Sequence, residues 1–236
     1  MRATTKREGA LTQDTIVFLH GLGRTWLSMA WLAAQARRRG YAVMNHGYRS
    51  RRHSIAEHAE QLRIVVGAIS GQGRIHFITH SLGGIVVRAM LADRSARPGR
   101  LGRVVMLSPP NQGSELADFF AGNSIYHSVL GPAAGELGTG GDSTPIRLGP
   151  VDFDVGIITG ERSFTPLSSY IFPGPGDGKV SVERAQVEGM RDFRVVRHSH
   201  SFIMYGAQVA EAAFHFLERG RFPGEPVQEP ERVSAG

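Results

Sequence analysis

The stretch RIHFITHSLGG, residues 74–84, runs from β-branched and apolar residues into a histidine, a serine, a leucine and two glycines. A short apolar run that ends in small residues reads as a buried strand reversing into a helix. The helix candidate follows at once as LGGIVVRAMLAD, residues 82–93. A serine at such a junction stands where the G-x-S-x-G turn holds a nucleophile clear of its strand. The first glycine of that pattern is missing, and Thr79 takes its place. Taken alone, the segment also reads as a strand followed by a serine-capped helix. If it is the sharp turn, the residues two before and two after Ser81 come close together. Gly83 then supplies most of the clearance and Gly84 lets the helix pack on the sheet. The β-branched Thr79 requires a slightly opened turn or a methyl that faces away.

Upstream, FLHGLGRT (18–25) ends another β-rich run in His-Gly-Leu-Gly. Acyl transfer through a tetrahedral intermediate needs N–H donors for the oxyanion. In a strand–turn–helix site one donor is the residue after the nucleophile, here Leu82. The other comes from the loop after an earlier strand, here Leu22. The same loop also reads as a plain glycine turn between strand and helix.

A serine nucleophile further requires a base and a carboxylate to orient it, in the chain order Ser, acid, His. Four histidines follow Ser81: His127, His198, His200 and His215. His127 precedes most acid candidates, and His215 lies within a helical segment. VRHSHSFIM (196–204) follows the last strand candidate, so His198 continues that strand and His200 occupies the loop. The loop position favours His200. Among acids, Asp177 sits in the glycine-rich turn GPGDGKVS (174–181), with Glu183 as second choice. Asp152, Asp154 and Asp192 begin strands and so fall at the opposite end. A metal site on His198 and His200 lacks a suitably spaced carboxylate.

Strand candidates alternate with helices along the chain, which points to a parallel α/β sheet. The strands are TIVFLH (15–20), YAVMNH (41–46), RIHFIT (74–79), GRVVML (102–107), FDVGIIT (153–159) and FRVVRH (193–198). Helices are expected over 28–39, 54–69, 82–93 and 206–220. Ser54 and Glu57 form a capping box at the start of the second. Residues 108–150 are rich in Gly, Pro, Ser and Asn and too long for a plain connection, so they form a functional loop or small cap. The organisation expected is a polar N-terminus (1–14), one domain (15–220) and a Pro- and Glu-rich disordered tail (221–236).

The chain has 236 residues, 41% of them hydrophobic, which is enough for a substantial core. It has no cysteine, so disulfides and thiolate metal sites are excluded. No apolar run approaches the roughly 20 residues needed to span a bilayer. The N-terminus has no apolar signal-like run, so the default location for a complete chain is cytoplasmic. Residues 1–103 carry 17 Lys+Arg against 5 Asp+Glu, and residues 104–236 carry 10 against 16. The basic half is either a solvated surface or a face with weak attraction to anionic lipid. The arginines are dispersed outside any recognised nucleic-acid module, which argues against nucleic acid as a partner.

Together HGLGRT, THSLGG, GDGKVSVERA and SHSFIM resemble the small bacterial lipase/esterase branch of the α/β-hydrolase superfamily. They are similar to its triacylglycerol-lipase-like and GPI-inositol-deacylase-like members. The resemblance covers roughly residues 15–219. It implies a minimal α/β-hydrolase fold of about six mostly parallel strands, with helices on both faces and the insertion at 108–150. It also implies Ser81 as nucleophile, Asp177 as acid, His200 as base, and the N–H groups of Leu22 and Leu82 as the oxyanion hole. No metal or organic cofactor is implied, and the expected partner is a small-molecule ester or lipid. A thioesterase, amidase or phospholipase A-type activity would use the same machinery. A non-catalytic binding protein would be expected to lack one of its members. Arg24 reads as a surface residue or as a contact for an anionic group, and Trp26 and Trp31 as helix packing or acyl-pocket lining.

Overall fold

The structure is a computed structural model, and it describes residues 12–123, 128–163 and 174–224. Six strands form one sheet: β1 (Thr15–Leu19), β2 (Ala42–His46), β3 (Ile75–His80), β4 (Leu101–Leu107), β5 (Val155–Gly160) and β6 (Asp192–Val196). Their order is β2-β1-β3-β4-β5-β6. Every neighbouring pair is parallel. Four longer helices are numbered α1 (Ala30–Arg38), α2 (Ile55–Gly67), α3 (Leu82–Ala92) and α4 (Ala207–Arg219).

Successive strand residues point to opposite faces, and two cores follow from that alternation. Val17, Leu19, Phe77, Val104, Met106, Val155 and Ile157 face one core, which is closed by Ile55, Leu62 and Val66 of α2 and Ile85 and Val86 of α3. Ile16, Phe18, Ile78, Val105, Leu107 and Ile158 face the other, closed by Leu32 and Ala36 of α1 and Val209, Ala213 and Phe216 of α4. A sheet covered on both faces explains why its strands read as continuous apolar runs. Phe222, expected to lie in the tail, is 4% exposed within the second core, so packing continues past residue 220.

Local signals set the helix ends. Ser54 caps α2 by accepting from the Glu57 N–H, and the Glu57 carboxylate accepts from the Ser54 N–H. A cap of this kind is worth about 1 kcal/mol. Gly220 ends α4 in the left-handed region. The regular part of β6 stops at Val196 rather than at His198, because the His198 N–H turns back to the Val196 carbonyl at 2.8 Å.

The charge asymmetry between the halves is bridged within the molecule. Arg39 pairs with Glu211 at 2.8 Å, Arg97 with Asp152 at 2.5 Å and Arg103 with Asp154 at 3.5 Å. Asp152 and Asp154 precede β5, at the end of the sheet where the strands begin. No helix among the described residues is long and apolar enough to cross a membrane.

Strand order fixes where a ligand can enter. The chain steps from β1 outward to β2 and then crosses back to β3 on the other side of β1. The loops after β1 and β3 therefore diverge at their carboxyl ends. Open α/β sheets bind ligands in that crevice.

Candidate active site

Ser81 occupies the turn between β3 and α3 with φ 53° and ψ −124°. An L-residue enters that region only when the surroundings enforce it. The Ser81 N–H donates to the Leu107 carbonyl at 2.9 Å, and the Ser81 carbonyl accepts from the Gly84 N–H at 2.9 Å. The turn is thus fixed by its backbone on both sides. Ser108, at the end of β4, is the other non-glycine residue with positive φ among the described residues, at 48°.

The crowding around this turn differs from the expected pattern. A Cβ on Gly83 would lie 2.9 Å from the carbonyl oxygens of Leu19 and His20 and from the Leu19 Cβ. Gly83 therefore clears the end of β1 and does not clear Thr79. The Thr79 hydroxyl lies 3.3 Å from where a Gly84 Cβ would be, and it donates to the Val105 carbonyl at 3.5 Å. Threonine fits at this position because Gly84 leaves room for its hydroxyl, which also reaches the Val105 carbonyl. Gly21 is constrained in the same way, since a Cβ there would lie 2.8 Å from His80 Nδ1 and 3.1 Å from the Ser81 Cβ.

His200 Nδ1 lies 2.8 Å from Asp177 Oδ2. The two residues are 4% and 2% exposed. A carboxylate only accepts, so Nδ1 carries the proton and Nε2 keeps its lone pair. The other Asp177 oxygen accepts from the N–H groups of Lys179 and Val180 at 3.0 and 2.9 Å. Burial alone would raise the Asp177 pKa. The charge and hydrogen bond of His200, then Ser108 and the Val180 N–H, outweigh it and hold the carboxyl below its ordinary value. The Ser108 hydroxyl contributes from close by, without meeting the geometry of a direct hydrogen bond. The Asp177 carbonyl also accepts from the His200 N–H at 3.0 Å, so the two loops are joined by backbone as well as side chain.

His198 does not join this pair. Its ring lies against Gln208 at 3.3 Å and packs where a Gly206 side chain would be. His215 bonds the Arg221 carbonyl at 2.8 Å, and Glu183 is exposed. His127 lies outside the described residues. Among the described residues no group of three or more His, Asp or Glu side chains is arranged to hold a metal.

Ser81 and His200 line one cavity of ≈ 120 Å³, together with Leu22, Arg24, His80 and Lys179. Pro110, Ser114, Leu116, Ala117, Leu130 and Leu137 of the 108–150 insertion form its opposite wall. The insertion is tied down. Buried Arg88 of α3 donates to the carbonyls of Asn111 at 2.9 Å, Pro145 at 3.3 Å and Gly149 at 2.6 Å. The Ser114 N–H donates to the Leu137 carbonyl at 2.9 Å. Neither tryptophan lines the cavity: Trp31 packs against the second core and Trp26 is 49% exposed.

The loop after β1 is built around His20. Its Nδ1–H donates to the Gly21 carbonyl at 2.9 Å, and its Nε2 accepts from the Tyr48 N–H at 3.3 Å. The Tyr48 hydroxyl donates to the His20 carbonyl at 2.8 Å, and the Gly23 N–H donates to Ser50 Oγ at 3.0 Å. The Leu22 N–H finds no protein acceptor among the described residues. Leu82 begins α3, so its N–H has no intrahelical acceptor. Arg24 crosses to the other loop and donates to the Ser201 carbonyl at 2.9 Å, so it is not a free surface residue. His80 makes a second crosslink, with its Nε2–H donating to the His200 carbonyl at 2.9 Å. Tyr48, Ser108 and these two crosslinks carry no sequence signature. Only the position of Ser108 at the end of a central strand would have flagged it.

His20, His46, His58, His76 and His80 all have pKa values held below 6.5, in each case first by burial. Above that pH both folded and unfolded chains are neutral at these sites. As pH falls below it, the unfolded chain binds protons first and stability drops. The slope is up to about 1.4 kcal/mol per pH unit for each histidine. Asp177 adds a second, lower window, because its stabilisation is lost only below 3.8. Urea unfolding midpoints should therefore be flat between mildly alkaline and neutral pH and decline on moderate acidification. An unchanged midpoint on moderate acidification below 6.5 would contradict the burial of neutral imidazoles.

A family model described as the alpha/beta hydrolase fold matches residues 14–127. No curated protein matches the sequence. Among solved structures, the mature form of the Bacillus licheniformis lipase BlEst2 superposes with TM-score 0.58 at 21% identity, covering 82% of this chain and 87% of the lipase. An esterase from Thermogutta terrifontis gives 0.59 at 13% identity, covering 89% and 91%. The phospholipase PlaB from Legionella pneumophila gives 0.56 at 19% identity, and 74% of this chain spans only 45% of that protein. At these identities the likeness is one of fold.

Proposed function

We propose that this chain, a member of the α/β-hydrolase superfamily, hydrolyses carboxylic esters through an acyl-enzyme on Ser81. The observation that carries the reading is the Asp177–His200 hydrogen bond of 2.8 Å, with Nε2 left as a base in the cavity that Ser81 lines. The lipase, phospholipase and esterase among the solved relatives support ester chemistry.

Each step has an assigned group. Ser81 Oγ attacks the ester carbonyl carbon while His200 Nε2 takes the hydroxyl proton. Asp177 keeps the imidazole in the required tautomer and stabilises the imidazolium. The carbonyl oxygen becomes an oxyanion facing the N–H groups of Leu22 and Leu82. The intermediate collapses, the C–O bond to the alcohol breaks, and His200 returns its proton to the departing oxygen. Water then attacks the acyl-enzyme along the same path, releasing the acid and restoring Ser81.

The cavity also predicts the acyl group. Its ≈ 120 Å³ is small beside the roughly 300–1,000 Å³ of drug-sized ligand sites. Its wall is held by the Arg88 anchors. Across a series of p-nitrophenyl esters, kcat/KM should be highest for acetyl to butyryl groups and at least about tenfold lower for decanoyl. Such a ratio corresponds to about 1.4 kcal/mol. A rising preference for long chains would overturn the short-acyl assignment. No hydrolysis of any member would overturn the esterase reading itself.

A further inference from the structure

The cavity around Ser81 is lined by two cations, Arg24 and Lys179, and by no carboxylate. Some other arginines rest on acids, as Arg184 does on Glu115 and Arg191 on Asp154, while Arg88 and Arg100 are held by backbone carbonyls. Among the described residues neither Arg24 nor Lys179 forms a salt bridge. The carboxylate nearest in sequence, Asp177, is buried, and its oxygens are occupied by His200 and by two backbone N–H groups. Arg24 spends one NH₂ group on the Ser201 carbonyl, which leaves other donors of its fork unused. Lys179 is exposed overall. Partial burial at the cavity mouth, and then the charge of Arg24, lower its pKa, while Asp177 opposes them. Both cations line the same small cavity, and an anion held between them would relieve their mutual repulsion.

Their placement relative to the chemistry is informative. Arg24 is tethered to the residue after His200, and Lys179 lies two residues beyond Asp177, which holds His200. Both therefore stand on the His200 side of Ser81. In acyl transfer the leaving alcohol receives its proton from the base, so it departs on that side.

We propose that the alcohol portion of the substrate carries an anionic group, a phosphate or a carboxylate, held by Arg24 and Lys179. The proposal rests on the Ser81 hydrolase reading for its chemistry, but the anion site itself does not depend on turnover. Arg24 suits either anion through its planar fork, and Lys179 adds a point charge.

Two measurements test it. The first is calorimetric titration of the Ser81→Ala protein with phenyl phosphate, benzoate and neutral benzyl alcohol. At least one anion should bind about tenfold or more tightly than the alcohol, and its identity tells phosphate from carboxylate. That advantage should shrink at high salt and vanish when Lys179→Gln is added. Equal affinity for charged and neutral probes, or an advantage that survives Lys179→Gln, overturns the proposal. The second compares kcat/KM for p-acetoxybenzoate and p-acetoxyphenyl phosphate with that for methyl p-acetoxybenzoate. The anionic-to-neutral ratio should be about tenfold or more in the wild-type protein and near one in Lys179→Gln and Arg24→Gln. A ratio near one in the wild-type protein overturns the proposal. If no ester is cleaved while Lys179-dependent anion binding persists, the hydrolase reading fails and the anion site stands.

Discussion

Ser81→Ala is expected to lower kcat on p-nitrophenyl acetate by roughly 10⁴–10⁶-fold, with thermal unfolding close to that of the wild-type protein. The size follows from removing the atom that forms the covalent bond, after which only binding and the oxyanion donors remain. The fold should tolerate the change because the Ser81 side chain makes no hydrogen bond among the described residues. Its structural contacts are backbone ones, the N–H to Leu107 and the carbonyl to Gly84. Alanine keeps both. Activity within tenfold of wild type, measured on purified folded protein, would remove Ser81 from the mechanism.

The second large effect separates two histidines only two positions apart. His200→Ala should reduce kcat by a similar roughly 10⁴–10⁶-fold, because base, proton donor and the Asp177 contact are lost together. His198→Ala should stay within about threefold of wild type, since its ring lies against Gln208 and Gly206 and makes no contact with Asp177. The opposite ranking in steady-state rates on the same ester would transfer the base to His198. Both proteins should be compared by circular dichroism, because His200→Ala keeps the backbone bonds to His80 and Asp177 but takes the side-chain partner from the buried Asp177 carboxylate.

Much of the fold is legible in the sequence because a doubly covered parallel sheet writes itself as apolar runs. TIVFL, IHFITH and VGIITG are buried at every position, as strands covered on both faces are. Ser54 marks the start of α2 because the capping box is a local interaction. The junction at Ser81 is legible for a related reason. A strand and a helix meeting at a strained serine need small residues nearby, and Gly83 and Gly84 supply them.

What the sequence does not reveal is long-range. The clearance at Gly83 serves the end of β1, some 60 residues upstream, so Thr79 is less of a departure than local reading implies. His80 reaches His200 across 120 positions and Arg24 reaches Ser201 across 177. Neither crosslink has a spacing rule that would find it. Arg197 and His198 extend a β-like run in the sequence, but β6 ends two residues earlier with a turn at Val196. Both His198 and His200 therefore lie beyond the strand, and what separates them in the structure is the bond of His200 to Asp177. Arg88 looks like one more arginine in the sequence, but it is 3% exposed and holds the insertion against α3 through backbone carbonyls.

The central claim is that Ser81 is a nucleophile activated by His200. It is tested most directly by treating the protein with a fluorophosphonate and locating the adduct by peptide mass spectrometry. A single adduct is expected on the peptide containing Ser81, absent from Ser81→Ala and strongly slowed in His200→Ala. Labelling at another residue, or no labelling of folded wild-type protein, would contradict the account.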